Sequence, residues 1–205
     1  MLYEVGKRDI RRAAAVLADA FREDPLWTAV CEGEADVQRR LRAVFEIAVR
    51  HGLTYGKVFA PSRDLEGIVA WIPGEFVDMT AWQMVRSGGL PAAMRIGRTA
   101  GKRMGPVFKP VTGYRREHLR GRSYLYLLVF GVAPEHRRKG FGRALIDAAI
   151  EDSERLGLPL YVGAGSEDNV SLYEHFGFRV VERISLPAVG LFDWEMVREP
   201  TAQLH

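Results

Sequence analysis

Apolar residues recur at helical spacing toward the N-terminus and in strand-like runs further on. Ile10, Ala13, Ala14, Leu17 and Phe21 share one face, which predicts a helix from an Asp9 cap to about Arg22. Asp24-Pro25 breaks it. Val37, Leu41, Val44, Phe45 and Ala48 predict a second helix over residues 35–50, with Gly52 ending it. Residues 2–5 read as a short strand, and residues 53–59 and 65–72 as a hairpin turning through Pro61 to Asp64. Pro73-Gly74 ends that hairpin. A Gly- and Pro-rich stretch follows, with helices near residues 79–86 and 91–104. A strand is then predicted over 124–132, a long helix to Leu156, a strand over 160–164 and a short helix over 169–176. Two last strands, near 179–186 and 189–197, complete the order. No internal repeat and no low-complexity tract interrupts it. This order of elements describes an α+β protein with a mixed sheet.

The junction after the 124–132 strand carries the most chemistry. There Val132-Ala133-Pro134-Glu135-His136-Arg137-Arg138-Lys139-Gly140-Phe141-Gly142-Arg143 passes from a strand end through a basic turn into a helix. A helix N-terminus presents unpaired N–H groups and a partial positive charge. Gly140 and Gly142 let the backbone approach a ligand closely. Arg137, Arg138, Lys139 and Arg143 add full charges. The combination suits a phosphate or pyrophosphate. Two familiar phosphate loops do not match. A Walker loop needs Lys and then Ser or Thr after its second glycine, and Phe141 follows Gly140. The dinucleotide fingerprint needs a third glycine, and Leu145 stands in its place.

Arg137-Arg138-Lys139-Gly140-Phe141-Gly142, preceded by Val132-Ala133-Pro134, resembles the acyl-CoA loop of the GNAT superfamily of N-acetyltransferases. Further on, Asn169-Val170-Ser171-Leu172-Tyr173-Glu174-His175-Phe176-Gly177-Phe178 resembles that superfamily's second signature, an Asn followed by Tyr and then Gly-Phe. The resemblance covers Leu125 to Val181 and is weaker before it. It implies the GNAT fold, an α/β/α arrangement whose mixed, mostly antiparallel sheet has about seven strands flanked by helices. It implies one domain over residues 1–205, with the acyl-CoA-binding core at 124–181. The implied activity is acyl-CoA-dependent N-acyl transfer, with acetyl-CoA as default donor and direct transfer to a primary amine. By the same resemblance, N–H groups from Arg138 to Arg143 cradle the pyrophosphate, and Arg137 is a further cofactor-binding candidate. Backbone groups near Phe130, Gly131 and Val132 pair with the pantetheine, and an N–H there faces the thioester oxygen, where charge develops. Tyr173 is the candidate general acid for the CoA sulfur, since a phenol is protonated at neutral pH. Asn169 is a candidate hydrogen-bonding partner of the cofactor and equally a candidate N-cap of its helix. Ser171 is a further candidate contact.

Composition narrows the field. At 205 residues, with 47% hydrophobic and 27% charged residues, the chain has the make-up of a soluble globular protein with a sizeable core. Cys31 is the sole cysteine, so there is no internal disulfide and no Cys-rich metal site, and the five histidines lack ligand spacing. No metal is implied. With one cysteine, no signal-peptide h-region and no apolar run of membrane length, a cytoplasmic home is expected. Net charge is +3 but unevenly spread. Residues 86–122 hold ten Lys or Arg and the single acid Glu117, a basic insert of +9 that leaves −6 for the rest. Such an insert suits nucleic acid, an anionic membrane surface, an acidic substrate such as an acceptor bearing a carboxylate or phosphate, or a solvated face. It carries no nucleic-acid motif, so no nucleic-acid partner is expected.

The general base is not marked. Residues 124–132 and 160–164 contain no Asp or Glu, where many members of the resembled superfamily carry one. Glu66, Glu75, His118 and water stay open. The resemblance builds the acceptor pocket from the first two helices, the segment after the third strand and the last strands. Phe21, Asp24, Trp27, Trp71, Phe76, Trp82 and Trp194 are its candidate linings, and aromatic rings beside an acid suit an amine. Without a marked base, a non-catalytic CoA-binding regulatory module is the alternative. The resemblance also leaves room for a homodimer.

Overall fold

In the computed structural model, which describes residues 1–33 and 35–201, the chain begins with β1 (Tyr3–Glu4), α1 (Ile10–Ala20), α2 (Pro25–Val30) and α3 (Val37–Tyr55). It continues through β2 (Lys57–Ala60), β3 (Gly67–Pro73), α4 (Ala81–Arg86), α5 (Leu90–Ile96) and α6 (Arg98–His118). The second half runs β4 (Leu125–Val132), α7 (Phe141–Leu156), β5 (Leu160–Ala164), α8 (Glu167–His175), β6 (Arg179–Leu186) and β7 (Leu191–Arg198). The strands form one sheet in the order β1-β2-β3-β4-β5-β7-β6, antiparallel except between β4 and β5. The expected mixed, mostly antiparallel α+β sheet of seven strands is what forms.

Helices cover both faces. Ala13, Ala14 and Leu17 of α1 and Leu41, Val44 and Phe45 of α3 pack on Val58, Ile68 and Ala70 of the sheet. On the opposite face Leu145, Ile146 and Ala149 of α7 pack on Val69, Leu127, Leu160 and Val162. Each large apolar side chain buried in these layers stabilises the fold by about 1.5–3 kcal/mol. α6 crosses β6 on the α1 face, where Val107 and Val111 join Ile184 and Leu186 in the core.

Several local expectations are corrected. Asp9 does not cap α1 with its side chain. It turns back to accept hydrogen bonds from the Gly6 N–H (3.0 Å) and the Tyr3 hydroxyl (2.8 Å). Asp24-Pro25 does not end α1, which stops at Ala20, but opens the next helix: Asp24 accepts from Leu26 N–H and Trp27 N–H, and Pro25 takes the first position of α2. Gly52 does not end α3, which runs on to Tyr55. A Cβ there would lie 2.8 Å from Val58 Cγ2 and 3.2 Å from Ala70 Cβ, so Gly52 permits close packing on the hairpin. The insert helix expected over 91–104 is broken at Gly97 (φ +90°), between α5 and α6, and α6 does not stop at residue 104. α6 passes through Pro106 and Pro110, each an interruption of the helical hydrogen-bond ladder, and the buried face of Val107 and Val111 offsets the loss. β7 starts at Leu191, because Val189 and Gly190 donate to the Leu186 carbonyl and form the turn.

Two irregularities open the sheet. The β3–β4 register passes from Ala70–Val129 to Trp71–Leu127, leaving Leu128 as a bulge. β4 and β5 pair only at Leu125–Leu160 and Tyr126–Tyr161 and then diverge. Beyond Tyr126 one edge of β4 therefore has no strand against it.

Candidate active site

A groove of about 1840 Å³ fills the gap between the diverging strands and continues between α2, α6 and the sheet. At one end lies the turn before α7. Gly140 has φ +85° and begins α7 without any side-chain cap, so N–H groups of the first turn keep no partner in the helix. Arg138 is also left-handed (φ +62°), a conformation that costs a non-glycine residue about 1 kcal/mol. Arg137 donates to the Ala20 carbonyl at 2.9 Å, which ties the turn to α1. Arg137, Arg138 and Gly142 line the groove. Lys139, Gly140, Phe141 and Arg143 stand outside its lining, and Arg143 pairs with Asp147 at 3.6 Å on an exposed face. Unpaired N–H groups, two guanidinium groups and open space above Gly140 are what a diphosphate needs.

Leu128 to Val132 form the groove's floor. The bulge turns Gly131 toward α1, where a Cβ would sit 3.0 Å from that of Ala20. Phe130 and Val132 face the opposite way, onto Gly142. With side chains occupied above and below, the unpaired backbone edge is left to a ligand.

α8 supplies the facing wall. Its cap is Ser166, which accepts from the Asn169 N–H at 3.2 Å, so Asn169 is not the N-cap. Asn169 and Tyr173 line the groove; Ser171 is exposed outside it. Tyr173 is 7% exposed, and its hydroxyl makes no hydrogen bond among the described residues. Burial alone pushes its phenol well above the ordinary value.

None of the general-base side chains expected from sequence, Glu66, Glu75 and His118, lines the groove. Glu66 accepts from the Ser62 hydroxyl, and Glu75 and His118 are exposed. The groove contains instead a cluster that sequence reasoning missed. Arg115 of α6 donates to Asp78 (2.8 Å) and to Glu195 (3.2 Å), and its guanidinium lies 5.3 Å from the Tyr126 ring centre. Desolvation, with Glu195 second, pushes the carboxyl of the neighbouring Asp193 up to about 7. A signal existed in Asp193-Trp194-Glu195, which sets two acids on one face of a strand. Of the expected acceptor linings, Phe21, Asp24 and Trp27 are present, joined by Phe45 and Phe108. Trp71 points to the far face, where its indole N–H donates to Asp152 at 2.8 Å. Phe76 stacks on Tyr55, Trp82 is 69% exposed and Trp194 lies beneath Arg183. Among the described residues no cluster of His, Cys, Asp and Glu suits a metal, and no helix is long and apolar enough to cross a membrane.

The model of the acetyltransferase (GNAT) family matches residues 69–178. An uncharacterized N-acetyltransferase of Schizosaccharomyces pombe is 29% identical over 188 residues, 89% of this chain and 75% of that protein. Among solved structures, the histone acetyltransferase HPA2-related protein of Corynebacterium glutamicum superposes with a TM-score of 0.72 at 19% identity, covering 100% of this chain and 98% of that one. A putative arylalkylamine N-acetyltransferase of Aedes aegypti gives 0.69 at 11% identity over 97% and 86%. These two structures share the fold.

Proposed function

The chain belongs to the acetyltransferase (GNAT) family, and from that premise we propose that it moves an acetyl group directly from acetyl-CoA to a primary amine. One observation carries this reading. A single groove joins an uncapped, basic helix start to an aromatic end holding Asp24 and Asp193. The first suits a diphosphate and the second an ammonium.

When bound, acetyl-CoA supplies an acyl carbon activated by its thiol leaving group. The chain supplies the rest. N–H groups of the first turn of α7, with Arg137 and Arg138, hold the diphosphate. The open edge of β4 from Phe130 to Val132 pairs with the pantetheine and directs an N–H at the thioester oxygen, a preorganised donor where negative charge grows. Asn169 adds a side-chain hydrogen bond. Tyr173 gives its proton to the sulfur as the C–N bond forms and the C–S bond breaks. The burial that keeps Tyr173 protonated also raises a thiol meeting it in the same desolvated place, which eases the transfer. No residue of the chain is acylated. Cys31, 1% exposed in the α1–α3 core, lies outside the groove lining. One buried cysteine also suits a reducing, cytoplasmic compartment.

Calorimetric titration of wild type, Gly140→Ala and Gly140→Asp with acetyl-CoA, CoA, ATP and NAD tests the reading. Both variants carry the same left-handed strain, and only the second sets a carboxylate at the diphosphate. CoA species alone should bind wild type and Gly140→Ala, with affinity at least about tenfold lower in Gly140→Asp, about 1.4 kcal/mol. Absent CoA binding, or equal binding of ATP and NAD, would overturn it.

A further inference from the structure

Asp193 and Glu195, two residues apart on β7, face the same way, and their surroundings differ. Glu195 is wholly buried. Its Oε1 accepts from Arg115 and, at 3.5 Å, from the Tyr126 hydroxyl, while its Oε2 has no partner among the described residues. Asp193 lines the groove and makes no hydrogen bond or ion pair among the described residues.

Gly163 of β5 makes room beside it. A Cβ there would lie 3.0 Å from the Tyr126 hydroxyl and 3.1 and 3.3 Å from the Asp193 carboxylate oxygens. The absent side chain leaves a small space that a carboxylate and a phenol both face. The same groove is walled by packed rings: Phe21 on Phe45 at 4.9 Å, Trp27 on Phe45 at 5.5 Å and Trp27 on Phe108 at 5.9 Å. An acidic recess in an aromatic-walled groove fits a cationic head on an apolar stem.

We infer that, within the N-acyltransferase reading above, Asp193 binds the ammonium of the acceptor and takes its proton, and that the acceptor is a primary amine on an apolar or aromatic stem. An N–H bond of the ammonium breaks and its proton passes to the Asp193 carboxylate. The freed lone pair forms the C–N bond while the C–S bond breaks. The sulfur takes a proton from Tyr173, and Tyr173 recovers one from the second proton that the nitrogen sheds. Asp193 releases its proton to water in the groove, so each turnover frees one proton.

The electrostatics agree with that role. The groups facing Asp193 are Glu195 on its own strand, Tyr126 from β4 and Arg115 from α6, with Asp78 beyond Arg115. Arg115 is shared between Asp78 and Glu195, so its charge does not fully offset burial at Asp193. A carboxyl held at about 7 matches a base working at neutral pH.

The test compares two amines of one shape. Phenethylamine is an ammonium at neutral pH; O-benzylhydroxylamine is neutral and has no proton to lose before attack. Thiol release from acetyl-CoA is followed from about pH 6 to 9 for wild type, Asp193→Asn and Gly163→Ala. Asp193→Asn should lose about a hundredfold or more in kcat/KM with phenethylamine, lose the limb near pH 7 and lose only a few-fold with O-benzylhydroxylamine. Its acetyl-CoA affinity and melting temperature should not fall. Gly163→Ala should raise KM for both amines and leave acetyl-CoA affinity unchanged. Near wild-type activity of Asp193→Asn with phenethylamine, or equal losses with both amines, would overturn the inference. Acetylation of spermidine alone would overturn the apolar stem and leave the transferase reading standing. Acetylation of none of the three, without CoA binding, would sink both.

Discussion

Tyr173→Phe separates chemistry from packing. The Tyr173 ring sits in the α7–α8 core against Phe178, with ring centres 5.5 Å apart, and Phe keeps that contact. The deleted hydroxyl belongs to a groove-lining residue only 7% exposed and makes no hydrogen bond among the described residues. Its removal forfeits no native partner and relieves the desolvation of a polar group, so stability should stay within about 0.5 kcal/mol of wild type or rise slightly. The rate should behave otherwise. A positioned general acid contributes about 10²- to 10⁴-fold, a barrier change of about 3–5 kcal/mol. Two assays read the two quantities: urea unfolding for stability, and thiol release at saturating acetyl-CoA and amine for kcat. Tyr173→Phe should show an unchanged midpoint and a kcat lower by at least about a hundredfold. A variant with wild-type kcat would show that the sulfur leaves without this proton. Destabilisation beyond about 1 kcal/mol would show that the hydroxyl has a structural partner.

Further predictions concern charges. Asp152 is 7% exposed and accepts from the Trp71 indole, Lys57 and Arg155, joining α7 to β2 and β3. Asp152→Ala should cost about 2–4 kcal/mol in urea unfolding; under about 1 kcal/mol would refute the tie. Its partners hold the Asp152 carboxyl below the ordinary range, so in wild type this contribution persists at neutral pH and disappears only as pH falls through that lowered value. Arg115→Leu strands Asp78 and the wholly buried Glu195 and should cost about 3 kcal/mol or more; a midpoint equal to wild type would contradict that. Asp193 has the opposite sign. Its carboxyl is raised from 3.8 to about 7, so the folded state binds the proton more tightly and stability falls as pH rises between these values. Asp193→Asn should match wild type near pH 4 and exceed it by up to about 4 kcal/mol near pH 8; no difference in slope would refute the burial.

What was readable from sequence depended on how locally it is specified. The turn from Arg137 to Gly142 is determined by neighbours in the chain: glycine allows the left-handed backbone and the adjacent strand and helix set its direction. The strand and helix periods around it were legible for the same reason. Asp193 was not. Phe192, Trp194 and Met196 alternate with Asp193 and Glu195, which reads as a strand with one wet face. That face is enclosed because α6 lies across the neighbouring β6 and sends Arg115 to Glu195, and Pro106 and Pro110 hide the length of α6 from any propensity argument. The basic insert misled similarly. Arg95 pairs with Glu46, and Arg115 and Arg116 with Asp78, so part of the surplus charge neutralises acids elsewhere in the fold. Trp71 shows a further limit, since alternation gives two faces of a strand without saying which one the groove occupies.

Acyl transfer from acetyl-CoA to an amine is read in a single experiment by following both products at once. Purified protein is incubated with acetyl-CoA and a panel of primary amines, with free thiol and acetylated amine quantified in the same samples. Thiol and N-acetyl amine should rise together in equal amounts, and both should fall in Tyr173→Phe. Thiol release without any acetylated amine, or acetyl-CoA binding with no thiol release across the panel, would contradict it.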